Sequence, residues 1–137
     1  MRVYYEDTDA GGVVYHASYL RFAERARTEM LRCLGLEHGG LMTRFGLAFT
    51  VRRCVVDYLA PARLDDRLEV RTGVARIGGA SLDLEQRIFR GERLLVRMEV
   101  RLAVISSALR AVRLPLALIE ALAPLRHDRA ANFPAGA

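Results

Sequence analysis

The sequence predicts an α+β domain in which one long helix lies across a curved antiparallel sheet. Three observations point there. From Ser18 the apolar residues Tyr19, Ala23, Ala26, Met30 and Leu34 recur at steps of three and four, with Leu20 and Leu31 beside them and Arg21, Arg25, Glu29 and Arg32 largely between. Further along, the period changes to two. It is cleanest at 93–105, where Leu94, Val96, Met98, Val100, Leu102 and Val104 alternate with Arg97, Glu99 and Arg101. Compact turn signals, Gly78-Gly79 and Arg90-Gly91-Glu92, separate the last three such segments and join them as an antiparallel meander.

The elements follow in order. Residues 2–6 read as a short strand, ended by the polar, Gly-containing stretch at 7–12. Ser18 is a fair N-cap for the helix, and Gly35 stands where a left-handed C-terminal cap is wanted, giving about four to five turns. A weaker helical piece covers 40–45. Residues 47–59, rich in Val, Phe and Tyr, read as a strand stopped at Ala60-Pro61. Residues 67–77 place Leu68, Val70, Thr72 and Val74 on one face, and 81–89 set Leu82, Leu84, Gln86 and Ile88 against Asp83, Glu85 and Arg87. A short helix started by proline follows at 115–122. Residues 1–123 thus read as the domain, and 124–137, with Pro124, Pro134 and several Ala, as a loosely held tail. A one-sided sheet must bury its apolar face, and a single helix across it is sufficient. Strands this long curl around the helix, and long apolar edges predict a homodimer or homotetramer.

Composition narrows the function classes. The 137 residues hold one core, with the 52% apolar and 27% charged content of a globular domain. No apolar run reaches the roughly 18 residues of a membrane span. The opening MRVYYEDTD is strand-like and acidic, unlike a signal sequence, so a cytoplasmic location is expected. Met1-Arg2 leaves almost nothing before the first strand, which reads as a trimmed or a short N-terminus. Cys33 and Cys54 form no CxxC and read as two buried reduced thiols. His16, His38 and His127 are too scattered for a metal site, and none is expected. All 21 basic residues are Arg, for a net charge of +5. Coding bias is the plainer reading. The arginines are spread along the chain, which argues against a nucleic-acid patch, while a few suit gripping a phosphorylated ligand.

The segment from Tyr4 to Tyr19 carries the chemistry. Asp7 and Asp9 lie in a Gly-containing loop, and His16 stands at the start of the helix. Free N–H groups at a helix N-terminus polarise a carbonyl and hold the oxyanion formed on attack. A carboxylate nearby attacks directly or activates a water, which suits acyl transfer to water. Against this stands a plain structural reading: Asp in a Gly-rich loop is commonly a turn residue, and His16 and Tyr4, Tyr5, Tyr15 and Tyr19 are commonly packing. Spacing alone leaves both readings open.

The run YYEDTDAGGVVYHASYLRFAERARTEML resembles the N-terminal signature of the 4-hydroxybenzoyl-CoA thioesterase family, closest to the YbgC-type branch associated with the bacterial Tol–Pal envelope system. The stretch FTVRRCVVDYLAPARLDD at 49–66 and Arg113-Leu114-Pro115 extend the resemblance over residues 2 to 122. It implies a hotdog fold, with two subunits joined edge to edge and active sites at that interface. It also implies hydrolysis of an acyl-CoA or acyl-carrier-protein thioester without a cofactor, coenzyme A being part of the substrate. The family's catalytic carboxylate falls on Asp9, its polarising backbone amide at His16, and Asp7 supports the loop. More weakly, coenzyme A contacts fall on Arg76 and the Gly79, Ala80 and Ser81 turn. Three other readings compete: a hotdog hydratase, for which Glu24 and Glu29 have no nearby His partner; a non-catalytic acyl-CoA or acyl-carrier-protein binder or envelope-complex adaptor; and an arginine-rich nucleic-acid binder.

Overall fold

The computed structural model describes residues 1–9, 11–14, 16–36 and 38–126. Tyr15, His127 and the expected tail beyond Arg126 lie outside them. Helix α1 (His16–Cys33) and the short α2 (His38–Phe45) precede strands β1 (Leu47–Tyr58), β2 (Glu69–Ile77), β3 (Ser81–Arg90) and β4 (Arg93–Ser106), and α3 (Leu116–Leu122) closes the order. The strands form one antiparallel sheet in the order β1-β4-β3-β2, so β2, β3 and β4 make the expected meander and β1 is an edge. Tyr19, Phe22 and Ala23 of α1 pack with Leu82, Leu84, Ile88, Val96, Met98, Val100 and Leu102 of the sheet in the principal core. Among the described residues no helix is long and apolar enough to cross a membrane.

The cap at Gly35 forms as expected. Its φ is 72°, Leu36 N–H donates to Leu31 O at 2.7 Å, and Gly35 N–H donates to Arg32 O at 2.9 Å, satisfying two terminal carbonyls. The start of α1 differs: it begins at His16, and Ser18 lies inside it, buried, with its hydroxyl accepting from Arg21 Nη2 at 2.9 Å. Residues 2–6 are not a strand. Tyr4 N–H donates to Asp7 Oδ2 at 3.0 Å and Thr8 Oγ1 to Tyr5 O at 2.8 Å, winding Tyr5–Asp7 into a 3₁₀ turn. Only Arg2 and Val3 pair, with Arg67 and Asp66.

Two irregularities position the site. The β1–β4 register shifts between Val51 and Arg53, so that Val51 opposes Leu102, Cys54 opposes Val100, and Val56 and Tyr58 oppose Met98 and Val96. This bulge keeps Phe49, Val51, Cys54, Val56 and Tyr58 on the helix side of the sheet, where strict alternation would have put Arg53. The β3–β4 register shifts at Ile88 and Phe89, and Leu94 leaves the expected face to pack on Phe89 while Leu95 enters the core. The outer face also departs from a simple solvated surface: Glu85 and Arg87 are buried and paired at 2.8 Å. Arg101 grips Asp83 through Nε at 2.8 Å, and Arg71 lies over the Phe89 ring, so long arginine stems cover that face.

The cysteines are reduced, but both are exposed rather than buried. Cys33 is the last residue of α1, and Cys54 lies on the edge strand, where among the described residues no neighbouring strand covers it. At the other end, the 3₁₀ turn Ala123–Leu125 and a bridge from Arg126 to Val74 run against β2.

Candidate active site

Loop and helix start form a single unit. Thr8 bridges Val14, and Asp9 N–H donates to Val13 O at 2.9 Å, closing a tight loop whose second limb runs into α1. Gly12, at φ 76°, makes the turn. Asp9 Oδ1 accepts from Gly11 N–H at 2.8 Å and Val13 N–H at 3.2 Å, while Oδ2 has no hydrogen-bond partner among the described residues. The carboxylate is exposed, oriented through one oxygen and available through the other. Asp7 is its opposite: buried, it accepts from Tyr4 N–H and from Arg21 Nη2 at 3.1 Å, tying the loop to α1. One aspartate holds the loop and the other is presented by it.

His16 is the first residue of α1, so its N–H belongs to the helix turn that lacks intrahelical acceptors. Its ring stacks on Tyr58 with centroids 4.4 Å apart, and the Tyr58 hydroxyl donates to His16 O at 3.3 Å. A cavity of about 230 Å³ opens here, lined by Val13, Val14, His16, Tyr19, Tyr58 and Leu59 among others. Asp9 is not in its lining; it stands outside, on the loop that forms one wall. Tyr19 is buried, and its hydroxyl accepts from Ala62 N–H at 2.8 Å. Burial pushes the phenol above its ordinary value, so it stays neutral. Tyr19→Phe leaves that buried N–H unsatisfied and is expected to cost about 1–3 kcal/mol, read as a lower denaturant midpoint with an unchanged slope.

Arg76 and the Gly79, Ala80 and Ser81 turn are not beside these groups. Tyr58 and Val96 lie at the His16 end of the sheet, whereas Ser81 pairs with Ala103 at the other end. Along β3 the two ends are roughly 20 Å apart. The turn itself is closely built: Gly78 N–H donates to Ser81 O at 2.9 Å, and a side chain at Gly78 would collide with Ser81 Oγ. Arg113 lies alongside, its guanidinium 3.8 Å from where a Cβ on Gly79 would stand. Another cavity, about 170 Å³ on the outer face among Arg53, Asp83, Glu85, Glu99 and Arg101, holds neither Asp9 nor His16. Among the described residues no cluster of His, Cys, Asp and Glu is arranged to hold a metal.

The model of the thioesterase-like superfamily matches residues 3–135. The chain belongs to this superfamily. It is 56% identical over 96 residues to the acyl-CoA thioester hydrolase YbgC of Escherichia coli, covering 70% of this chain and 71% of that protein. To the acyl-CoA thioesterase YbgC of Haemophilus influenzae it is 50% identical over 105 residues, 77% of each. A probable thioesterase from Bartonella henselae superposes with a TM-score of 0.80 at 41% identity, covering 84% of this chain and 95% of that one. The fold is the thioesterase hotdog, with α1 wrapped by the antiparallel sheet.

Three contacts in this thioesterase were not foreseen from the sequence, those of Tyr58, Arg113 and Arg27. Tyr58 sits at the end of an alternating strand and looks like any packing aromatic. Arg113 comes to Gly79 only through the path of the chain after β4, where Leu114 N–H donates to Gly79 O at 2.8 Å. Arg27 has no alternation signal, yet its Nη1 donates to Gln86 Oε1 at 2.8 Å between helix and sheet. Burial lowers its pKa. Although Cys54 is exposed on the edge strand, partial desolvation of its thiol pushes the pKa up.

Proposed function

We propose that this thioesterase hydrolyses acyl-CoA thioesters, with Asp9 as nucleophile or general base and the N-terminus of α1 at His16 polarising the thioester carbonyl. What carries the reading is Asp9: its carboxylate is fixed by Gly11 and Val13 N–H groups on the loop that leads directly into the helix start, and Oδ2 is left for a substrate or water. The carbonyl oxygen takes the N–H groups of the first turn of α1, which stabilise the charge that develops on it. Attack by Asp9, or by a water that Asp9 deprotonates, forms the tetrahedral centre. Its collapse breaks the C–S bond and releases coenzyme A thiolate. In the water route the free acid leaves directly, and the proton Asp9 took from the water goes to the thiolate. In the nucleophilic route the acyl–Asp9 anhydride is cleaved by a water, which frees the acid, restores the carboxylate and supplies the thiolate's proton.

The acyl group lies in the groove between α1 and the helix-facing side of β1, starting at the cavity beside His16. Arg113 joins Arg76 and the 79–81 turn as the grip for coenzyme A phosphates, since guanidinium groups match phosphate geometry. Because that turn lies at the far end of its own sheet, the complete site takes it from a second chain, as a homodimer or a dimer of dimers. The reaction belongs in the cytoplasm, where coenzyme A thioesters occur. Hydrolysis of a panel of acyl-CoA and acyl-carrier-protein thioesters, followed by free-thiol release, tests the reading. Turnover of the coenzyme A series is expected. Tight binding without turnover of any member would transfer support to a non-catalytic acyl-CoA binder.

A further inference from the structure

Two separate cavities lie between α1 and β1, and a cation stands where they would meet. On the helix-facing side of β1, Tyr58, Val56, Cys54, Val51 and Phe49 succeed one another away from His16, opposite α1. Beyond Cys54 lies a chamber of about 330 Å³, lined by Leu31, Leu41, Phe49, Val51 and Leu102 together with Glu24, Arg27 and Thr28. Between the chamber and the His16 cavity stands Arg27. Gln86 is wholly buried, and its Nε2 donates to Ala23 O at 2.9 Å and Thr72 Oγ1 at 3.0 Å, which turns Oε1 toward Arg27 Nη1. The guanidinium is therefore held at the level of Ala23, not left to swing into solvent. Cys54 of the opposite wall lies close enough for Arg27 to act on its thiol.

We propose that Arg27, held by Gln86, sets the acyl-chain length this thioesterase accepts, by closing the groove short of the apolar chamber. The inference rests on the acyl-CoA reading above and adds a length limit to it. From His16 to the level of Ala23 is about 10 Å of helix rise. At the roughly 1.25 Å advance per methylene of a tetrahedral chain, that distance takes about eight carbons. Up to there each added methylene meets apolar wall and tightens binding by roughly fourfold. Past it, the chain must press against a partly desolvated guanidinium, and each further methylene costs binding. Removing the cation joins the groove to the chamber.

The test is the ratio of kcat/KM between dodecanoyl-CoA and hexanoyl-CoA, each below its micellar concentration, in the parent and in Arg27→Leu. In the parent, kcat/KM should peak near octanoyl and fall at least tenfold by dodecanoyl. In R27L the dodecanoyl-to-hexanoyl ratio should rise at least tenfold. A purely structural strut would depress all lengths together and leave the ratio unmoved, which would overturn the proposal. If R27L does not fold, the parent profile decides alone: activity level from hexanoyl to palmitoyl overturns the length limit. The same series as non-hydrolysable thioether analogues, measured by calorimetry, reads chain length without turnover. Absence of hydrolysis at every length would therefore remove the catalytic reading, while the binding profile still decides the role of Arg27.

Discussion

Asp9→Asn is expected to lower turnover by roughly a hundredfold or more, the scale of losing a general base or nucleophile. Folding should persist. The side-chain oxygen of Asn still accepts from Gly11 and Val13 N–H, and the residue is exposed, so the stability change should stay within about 1 kcal/mol. What is removed is the charge and the basic character of the second oxygen. Asp7→Asn separates loop integrity from chemistry. That side chain is buried against Arg21 Nη2, so its loss should appear in the melting temperature and weaken activity less than Asp9→Asn does. His16→Ala should also cost less than Asp9→Asn, because the position-16 N–H survives while the stack on Tyr58 is lost. The measurement is kcat on the best acyl-CoA beside a thermal melt of each variant. An Asp9→Asn enzyme as fast as its parent would remove Asp9 from the mechanism. One that does not fold would make it a turn residue.

These assignments show where sequence suffices. The long helix, its end at Gly35 and the β2–β3–β4 meander were legible, because period and turn residues are local signals and each has one structural solution. The motif around Asp9 and His16 pointed to chemistry only through resemblance, since spacing alone left the turn-residue reading open. What stayed hidden depends on register and on partners distant in sequence. The bulge at Val51–Arg53 decides that Cys54 and Tyr58 face the helix, and no residue type announces it. The 3₁₀ turn replaced a predicted strand because the Asp7 carboxylate captured Tyr4 N–H. Exposure of Cys54 follows from the edge position of β1, which strand pattern cannot reveal. Arg27 is held between helix and sheet by Gln86, 59 residues away.

Mixing two impaired variants should restore activity if, as proposed, each site is built from two chains. Edge strand β1 exposes Val51, Val55, Tyr58 and the adjoining Leu59, an apolar margin with no strand beside it among the described residues. Pairing β1 with its own copy across a two-fold axis is antiparallel, so it brings the Leu47 end of one strand beside the Tyr58 end of the other. The partner's 78–81 turn then lies on the same side as His16 and Asp9, which one chain alone keeps roughly 20 Å apart along β3. The solution mass should accordingly be at least twice the 15.3 kDa of a single chain. Arg76→Ala/Arg113→Ala should raise KM for acyl-CoA by roughly ten- to a hundredfold, the scale of losing charge-assisted phosphate contacts. Asp9→Asn keeps the grip and loses the chemistry. After the two variants are mixed and subunits exchanged, half of the dimers carry one chain of each kind. In those, one site combines an intact Asp9 with the partner chain's intact arginines. At low substrate, activity should rise to about a quarter of the parent value. Recovery in the mixture well above either variant alone requires a site shared between chains. A fully active species of 15.3 kDa, or no recovery after verified exchange, would place the whole site within a single chain and return the β1 edge to an ordinary surface.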